Sequence, residues 1–352
     1  MLLVLTGIVL ILVSYKGSTI NDQQCTRMYY RAATNKYNST YPLTSPVYSL
    51  NGDISFRIAI ISDLDTSSKQ SDGSWVSHMR KGWLTINKEH SKVDVKLDEQ
   101  DLLLHSDLSL KGRAMELSDL VVFNGKLYTC DDRTGMVFEI TQDNRVVPFA
   151  VLNDGNGHLS KGFKCEWMTV KDEIMWVGGL GKEWTSTKGV VENLNPQWTK
   201  SVGYLGDVQH HNWVDVYNKL RKFGGFELPG YLIHEAVSWS AVYNQWFFLP
   251  RRASREVYTE EDDEQRATNI LFRSDEDFYS IEMSHLGPQH NTRGFSSFKF
   301  VPGTKDSVII ALKSEEDKGK IASYIVAYRI DGTNLMKEFK IGELKYEGIE
   351  FI

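Results

Sequence analysis

Three cysteines in a chain of 352 residues are too few to staple a fold together, and an odd number cannot all pair within one chain. One bridge among Cys25, Cys130 and Cys165 is allowed, with buried free thiols at Cys130 and Cys165 as the open alternative. Proline (eight) and glycine (27) are scarce enough to exclude collagen-like and low-complexity chains. An excess of basic residues is missing too. The formal net charge is −6, so the chain offers no basic face to a nucleic acid. Long amphipathic helical patterns are rare, and residues 212–223, NWVDVYNKLRKF, carry the best of them. The glycines within the run Trp176 to Trp184 lack the spacing of a phosphate-binding P-loop, and His210-His211 have no further metal-ligand partners, which makes them surface residues.

Long apolar runs are absent except at the beginning, where MLLVLTGIVLILVS holds about a dozen uncharged residues, too few for a comfortable membrane span. Small and polar residues follow, as after the apolar core of a secretory signal, although no Lys or Arg precedes it. The expected division is a signal peptide at 1–18, a polar leader at 19–53 and one folded domain at 54–352. A secreted protein with no stable membrane insertion after signal removal follows from this. A signal-anchor left uncleaved, holding the chain in the ER or Golgi lumen, is the competing reading. Asn38-Ser39-Thr40 is a glycosylation sequon that suits either route.

Aromatic residues are abundant, with nine Trp, 16 Tyr and 16 Phe, and flat rings favour pleated surfaces. The core opens at Phe56-Arg57-Ile58-Ala59-Ile60-Ile61 and stops at Ser62-Asp63-Leu64-Asp65. Short apolar runs then alternate with turn chemistry such as Asn124-Gly125, Asp154-Gly155-Asn156-Gly157, Pro302-Gly303 and Asp331-Gly332. This is an all-β pattern. A weak repeat runs through it: a polar residue, an apolar strand, a tight turn, a second strand. The units begin at Ser118, Glu166, Glu235, Ser296 and Glu347, at spacings of 48, 69, 61 and 51. Periods of that size, each filled with short strands, indicate propeller blades. The fifth unit, KYEGIEFI, ends after one strand, so FRIAIISDLD must supply its partners and close a five-bladed β-propeller.

Equivalent positions in a propeller lie on a ring around its axis. Glu166, Glu235 and Glu347 would place three carboxylates on that ring, where they repel unless a cation neutralises them. Oxygen ligands without His or Cys suit calcium better than zinc or copper. The expected ligands of a central Ca2+ are therefore Ser118, Glu166, Glu235, Ser296 and Glu347, the serines through a hydroxyl or a backbone carbonyl.

The segments RIAIISDLD, KGRAMELSDLVVFNGKLYTCDDRTG, KGFKCEWMTVKDE, WVGGLGKEWT, PGYLIHEAVSW, WFFLPRRAS, RGFSSFKFVPG, ALKSEED and KYEGIEFI resemble the calcium-activated nucleotidase (calcium-dependent apyrase) family from about residue 56 to the C-terminus. The resemblance implies a five-bladed propeller with calcium at its centre, ligands at the same five positions, and hydrolysis of nucleoside tri- and diphosphates such as ATP and ADP to the monophosphate and inorganic phosphate. That chemistry asks for cations to clamp phosphate, here Lys111, Arg113, Lys164, Arg251 and Arg252, with Lys313 behind them. It also asks for a carboxylate to accept a proton from water, and Asp63, Asp65, Glu116, Asp119 and Asp131-Asp132 are the candidates. Each has a plainer reading: a turn at Asp131 to Gly135, surface arginines at a strand end for Arg251-Arg252, a solvated loop for the acidic stretch 259–264. A lumenal diphosphatase preferring UDP and GDP, a non-catalytic calcium-binding propeller and another calcium propeller enzyme such as a lactonase are the alternatives. Oligomeric state is open, with a homodimer allowed.

Overall fold

The structure, a computed structural model, describes residues 36–352. The expected signal peptide at 1–18, the first part of the leader and Cys25 lie outside the described residues. Strands dominate and fall into five sheets that act as blades, with one small extra ribbon.

Blade 1 contains β1 (Val47–Tyr48), β2 (Ile54–Ser62), β3 (Trp75–Ile86), β4 (Val93–Ser106) and the last strand of the chain, β23 (Tyr346–Phe351). Blade 2 is β5 (Leu117–Phe123), β6 (Lys126–Asp131), β7 (Met136–Ile140) and β8 (Val146–Val151). Blade 3 is β9 (Trp167–Lys171), β10 (Ile174–Gly178), β13 (Trp198–Val202) and β14 (Val208–Asn212), with the ribbon β11 (Trp184–Thr185) and β12 (Val191–Asn193) inserted. Blade 4 is β15 (Tyr231–Ser240), β16 (Gln245–Ser254), β17 (Ile270–Asp275) and β18 (Ile281–His285). Blade 5 is β19 (Arg293–Phe300), β20 (Val308–Asp317), β21 (Lys320–Arg329) and β22 (Asn334–Gly342). The first strands of the blades, β5, β9, β15 and β19, stand side by side around the axis, and β23 fills the gap between β19 and β5.

Closure comes from pairing the two ends of the domain. Strand β23 runs antiparallel to β2, with Ile58 opposite Phe351 and Ile60 opposite Ile349. The sequence places the folded part at 54–352; the strands begin slightly earlier, because β1 pairs with β2. Turn chemistry explains the hairpins. Asn124 and Gly125 both have positive φ (49° and 69°), which gives the tight turn whose twist matches the flanking strands. Asp172 and Glu173 do the same at 53° and 60° without a glycine.

The apolar cores lie between neighbouring blades. Ile58, Ile60 and Leu84 of blade 1 meet Val308, Ile310 and Ile325 of blade 5. An aromatic core of Trp167, Trp239, Trp246 and Phe272 fills the space between blades 3 and 4. The helical pattern of the sequence is real: α1 (Val214–Gly224) buries Tyr217 and Leu220 in that core and ends at Gly225, in the left-handed region at φ 74°. The cysteines resolve as well. Cys130 and Cys165, both fully buried, form a disulfide, so they are not free thiols.

Candidate metal and phosphate site

Four of the five repeat positions share one backbone feature. Pairing registers slip at Ser118, Glu235 and Ser296, each an extra residue in its innermost strand, and at Glu347 in β23. Glu166 stands just before β9, its N–H donating to the Gly178 carbonyl at 2.8 Å. A β-bulge re-aims one side chain out of the pleat and is common beside functional sites. All five residues are buried, from Ser296 at 0 % to Glu235 at 8 % exposed.

Glu166, Glu235 and Glu347 line one cavity of about 510 Å3. Its wall carries eight carboxylates against six Lys and Arg cations, so two negative charges are in excess. Burial pushes the Glu166 carboxyl up to about 8 against the pull of Lys164, and Glu235 adds to the rise. Glu347 is raised well above the carboxylate range by burial, against Lys345 and Arg251, with Asp63 and Glu235 contributing. Ser118 Oγ is buried with no hydrogen-bond partner, and Glu166 Oε1 makes no hydrogen bond although Lys164 Nζ lies 2.8 Å away. Mutually repelling carboxylates, an orphaned hydroxyl and a charge deficit of two fit a divalent cation held by oxygen.

The cations expected from the sequence reach the same cavity in part. Arg251 is paired with Glu235, Glu316 and Glu347, the last at 2.9 Å. Arg252 is 2 % exposed, and its Nε has no hydrogen-bond partner, the nearest carboxylate being Asp263 at 3.7 Å. Both arginines are therefore buried, which overturns the surface reading. Burial lowers Arg252 from its ordinary range, and Arg251 beside it adds to the effect. Lys164 sits between Asp132 and Glu166; these two acids hold it protonated against the cost of burial. Arg113 lies beside the cavity, its Nε donating to Glu116 at 2.7 Å and its Nη2 lying 3.5 Å from Asp65. Lys111 is exposed in a turn, and Lys313 is buried against Glu338, so neither forms the cavity wall.

Among the carboxylates, Asp63 faces the cavity. Burial works to raise it, yet Lys345 at 2.7 Å and the Asp65 N–H hold it below the usual range. Asp65, Asp63 and Glu116 each place an oxygen within 4.8 Å of the other two. Glu116 is fully buried; burial raises it against Arg113 and Arg133. Asp131 does something else. Its carboxylate accepts from the backbone N–H groups of Met115 and Arg133, each at 2.9 Å, and burial pushes it up to about 6. Its neighbour Asp132 points at Lys164 instead. Asp119 is a bracing residue that takes N–H bonds from Leu120 and Met168 and pairs with Lys299 at 3.1 Å.

Several wall residues had no part in the sequence expectation. Lys345 lies 2.7 Å from Asp63, 3.1 Å from Asp65 and 3.5 Å from Glu347. Glu316 and Arg133 join it, and all three belong to motifs already marked, KYEGIEFI, ALKSEED and DDRTG. The acidic stretch is not merely a solvated loop. It forms a short helix, α2 (Glu260–Asp263), from which Asp263 accepts the Tyr231 hydroxyl at 2.7 Å and, with Glu260 and Glu264, lines the cavity. The glycine-bearing run contributes Leu180, Lys182 and Trp184 to the same wall, while Tyr258 presents a second ring over which Lys182 Nζ sits at 4.0 Å. His210 and His211 both lie on outer strand β14 of blade 3, where the His211 ring stacks on Trp176.

The family profile described as Apyrase matches residues 64–352. Soluble calcium-activated nucleotidase 1 of Rattus norvegicus is 53 % identical over 318 residues, covering 90 % of this chain and 78 % of that protein. Apyrase apy-1 of Caenorhabditis elegans is 47 % identical, covering 86 % of this chain and 85 % of its own, and the apyrase of Cimex lectularius is 43 % identical, covering 90 % and 87 %. A profile that spans the propeller almost entirely, with relatives this similar over more than three quarters of their length, makes the chain a member of the apyrase family.

Proposed function

We propose that this propeller hydrolyses nucleoside tri- and diphosphates, ATP and ADP among them, to the monophosphate and inorganic phosphate in a calcium-dependent reaction. One observation carries the reading beyond family membership: a single cavity whose wall combines Glu166, Glu235 and Glu347 of the axial ring with a bank of Arg and Lys. Ser118, Glu166, Glu235, Ser296 and Glu347 would hold the calcium. Bound there, it would neutralise phosphate charge and supply Lewis acidity.

The remaining work falls to the chain. Arg252, short of hydrogen-bond partners, is the strongest candidate to grip phosphate oxygens in bidentate fashion, with Arg251, Lys164 and Lys345 spreading positive charge beside it. Asp63, kept ionised by Lys345, would accept a hydrogen bond from the attacking water and orient it. Glu116 and Asp65 would hold Arg113 in place behind it. The flat faces of Trp184 and Tyr258 are suited to a nucleobase. The Cys130–Cys165 disulfide supports maturation in an oxidising compartment, in keeping with a secreted enzyme.

The test is phosphate release from ADP, ATP, UDP and GDP with calcium, with magnesium and with a chelator. Release that needs calcium is expected from at least ADP, and calcium-independent behaviour with all four would refute the reading. Glu166→Gln is expected to weaken calcium binding and turnover together.

A further inference from the structure

The Cys130–Cys165 bond lies where two parts of the site meet. Cys130 sits in β6 of blade 2, immediately ahead of Asp131 and Asp132. Cys165 lies between Lys164 and Glu166, at the end of the connection from blade 2 to blade 3. That connection, residues 152–166, contains no named strand, and Gly155 and Gly157 both take positive φ. Lys164 and Glu166 stand at the end of this irregular segment, where the Glu166 N–H donates to the Gly178 carbonyl just ahead of β9, whereas Asp132 follows a paired strand. An ion pair between Lys164 and Asp132 spans the junction, and the disulfide lies directly behind it.

We infer that the Cys130–Cys165 disulfide is a positioning device for the site, holding Lys164 and Glu166 in register with Asp132 at the head of the axial ring. Ion pairs alone hold long flexible side chains loosely, and a supporting shell left free moves a ligand by enough to matter. A covalent link one residue away from both Lys164 and Glu166 removes that freedom. Both sulfurs are fully buried, so the bond is a permanent part of the site and is shielded from reductant in solution. The inference rests on Glu166 being a calcium ligand.

The test replaces the bridge twice, as Cys130→Ala with Cys165→Ala and as Cys130→Val with Cys165→Ala, the second keeping more of the lost volume. Calcium affinity is measured calorimetrically without nucleotide, well below the unfolding temperature, alongside KM and kcat for ADP and the urea midpoint. The calcium Kd is expected to rise roughly tenfold, the scale seen when groups supporting a metal ligand are removed, and KM to rise with it. Calcium Kd and KM within twofold of the parent, with only the urea midpoint lowered, would make the bond a plain structural staple and overturn the inference. Glu166→Gln separates the two levels. If it too leaves the calcium Kd unchanged, the ligand assignment fails; if it raises Kd while the bridge-free variants do not, only the positioning role fails.

Discussion

Removing the last eight residues, Lys345–Ile352, should prevent folding altogether. The deleted segment holds β23, the innermost strand of blade 1, and contributes Tyr346, Ile349 and Phe351, all fully buried, and Ile352 at 8 % exposed. Burying a large apolar side chain stabilises a fold by about 1.5–3 kcal/mol, so these four represent roughly 6–12 kcal/mol. The whole stability of a domain is about 5–15 kcal/mol. Deletion would also leave β2 without its inner partner and expose the cores on both sides, where Phe351 meets Phe56 edge to face at 5.6 Å. A graded version is Phe351→Ala, expected to cost about 3–5 kcal/mol. Circular dichroism and urea titration of the purified product are the assays. A truncated chain that unfolds cooperatively near the parent midpoint would show that the ring closes without its last strand, and the architecture argued above would be wrong.

Two further outcomes follow from buried charges. Asp119→Asn leaves Lys299 buried without its counter-charge between blades 2, 3 and 5, and should lower stability by about 3–5 kcal/mol in urea titrations; a loss below about 1 kcal/mol would mean the pair is not buried as described. Burial pushes Glu350 from 4.5 up to about 7, against Lys299 and the N–H groups of Phe351 and Val122. A carboxyl with a raised folded pKa binds a proton in the native state that the unfolded chain has released, so its contribution is present below about pH 4.5 and lost as pH rises towards 7. Urea midpoints across that window should carry a downward component, on the order of 3 kcal/mol in total, that Glu350→Gln abolishes; an unchanged slope in the variant would assign the dependence elsewhere.

The five-fold repeat was legible because each unit opens with a polar residue ahead of an apolar strand, and the structure gives the reason: the polar residue is bulged out of the pleat or sits just before the strand, so it escapes the alternation that buries its neighbours. The strand exchange was legible for a related reason, since KYEGIEFI and FRIAIISDLD are both apolar strand patterns and pair as β23 with β2. What sequence could not supply were through-space meetings. Lys345 reaches Asp63 across 282 positions of chain, and nothing local ties the two together. Asp131 and Asp132 are chemically alike and adjacent, but one turns into the backbone and the other towards Lys164; only side-chain direction separates them. The disulfide was equally hidden, because pairing depends on Cα atoms 6.5 Å apart that lie 35 residues apart in the chain. The acidic stretch at 259–264 misled because its composition is that of solvated loops, while its geometry turns Asp263 inward under Tyr231.

The axial ring, and no other acidic group, is expected to hold the calcium. Anomalous diffraction from crystals grown with calcium, or with a lanthanide in its place, tests it most directly. One strong peak is expected on the propeller axis, with oxygens of Glu166, Glu235 and Glu347 and of the two serines within about 2.3–2.6 Å of a calcium ion. A peak seated instead among Asp63, Asp65 and Glu116, with the axis empty, would contradict it.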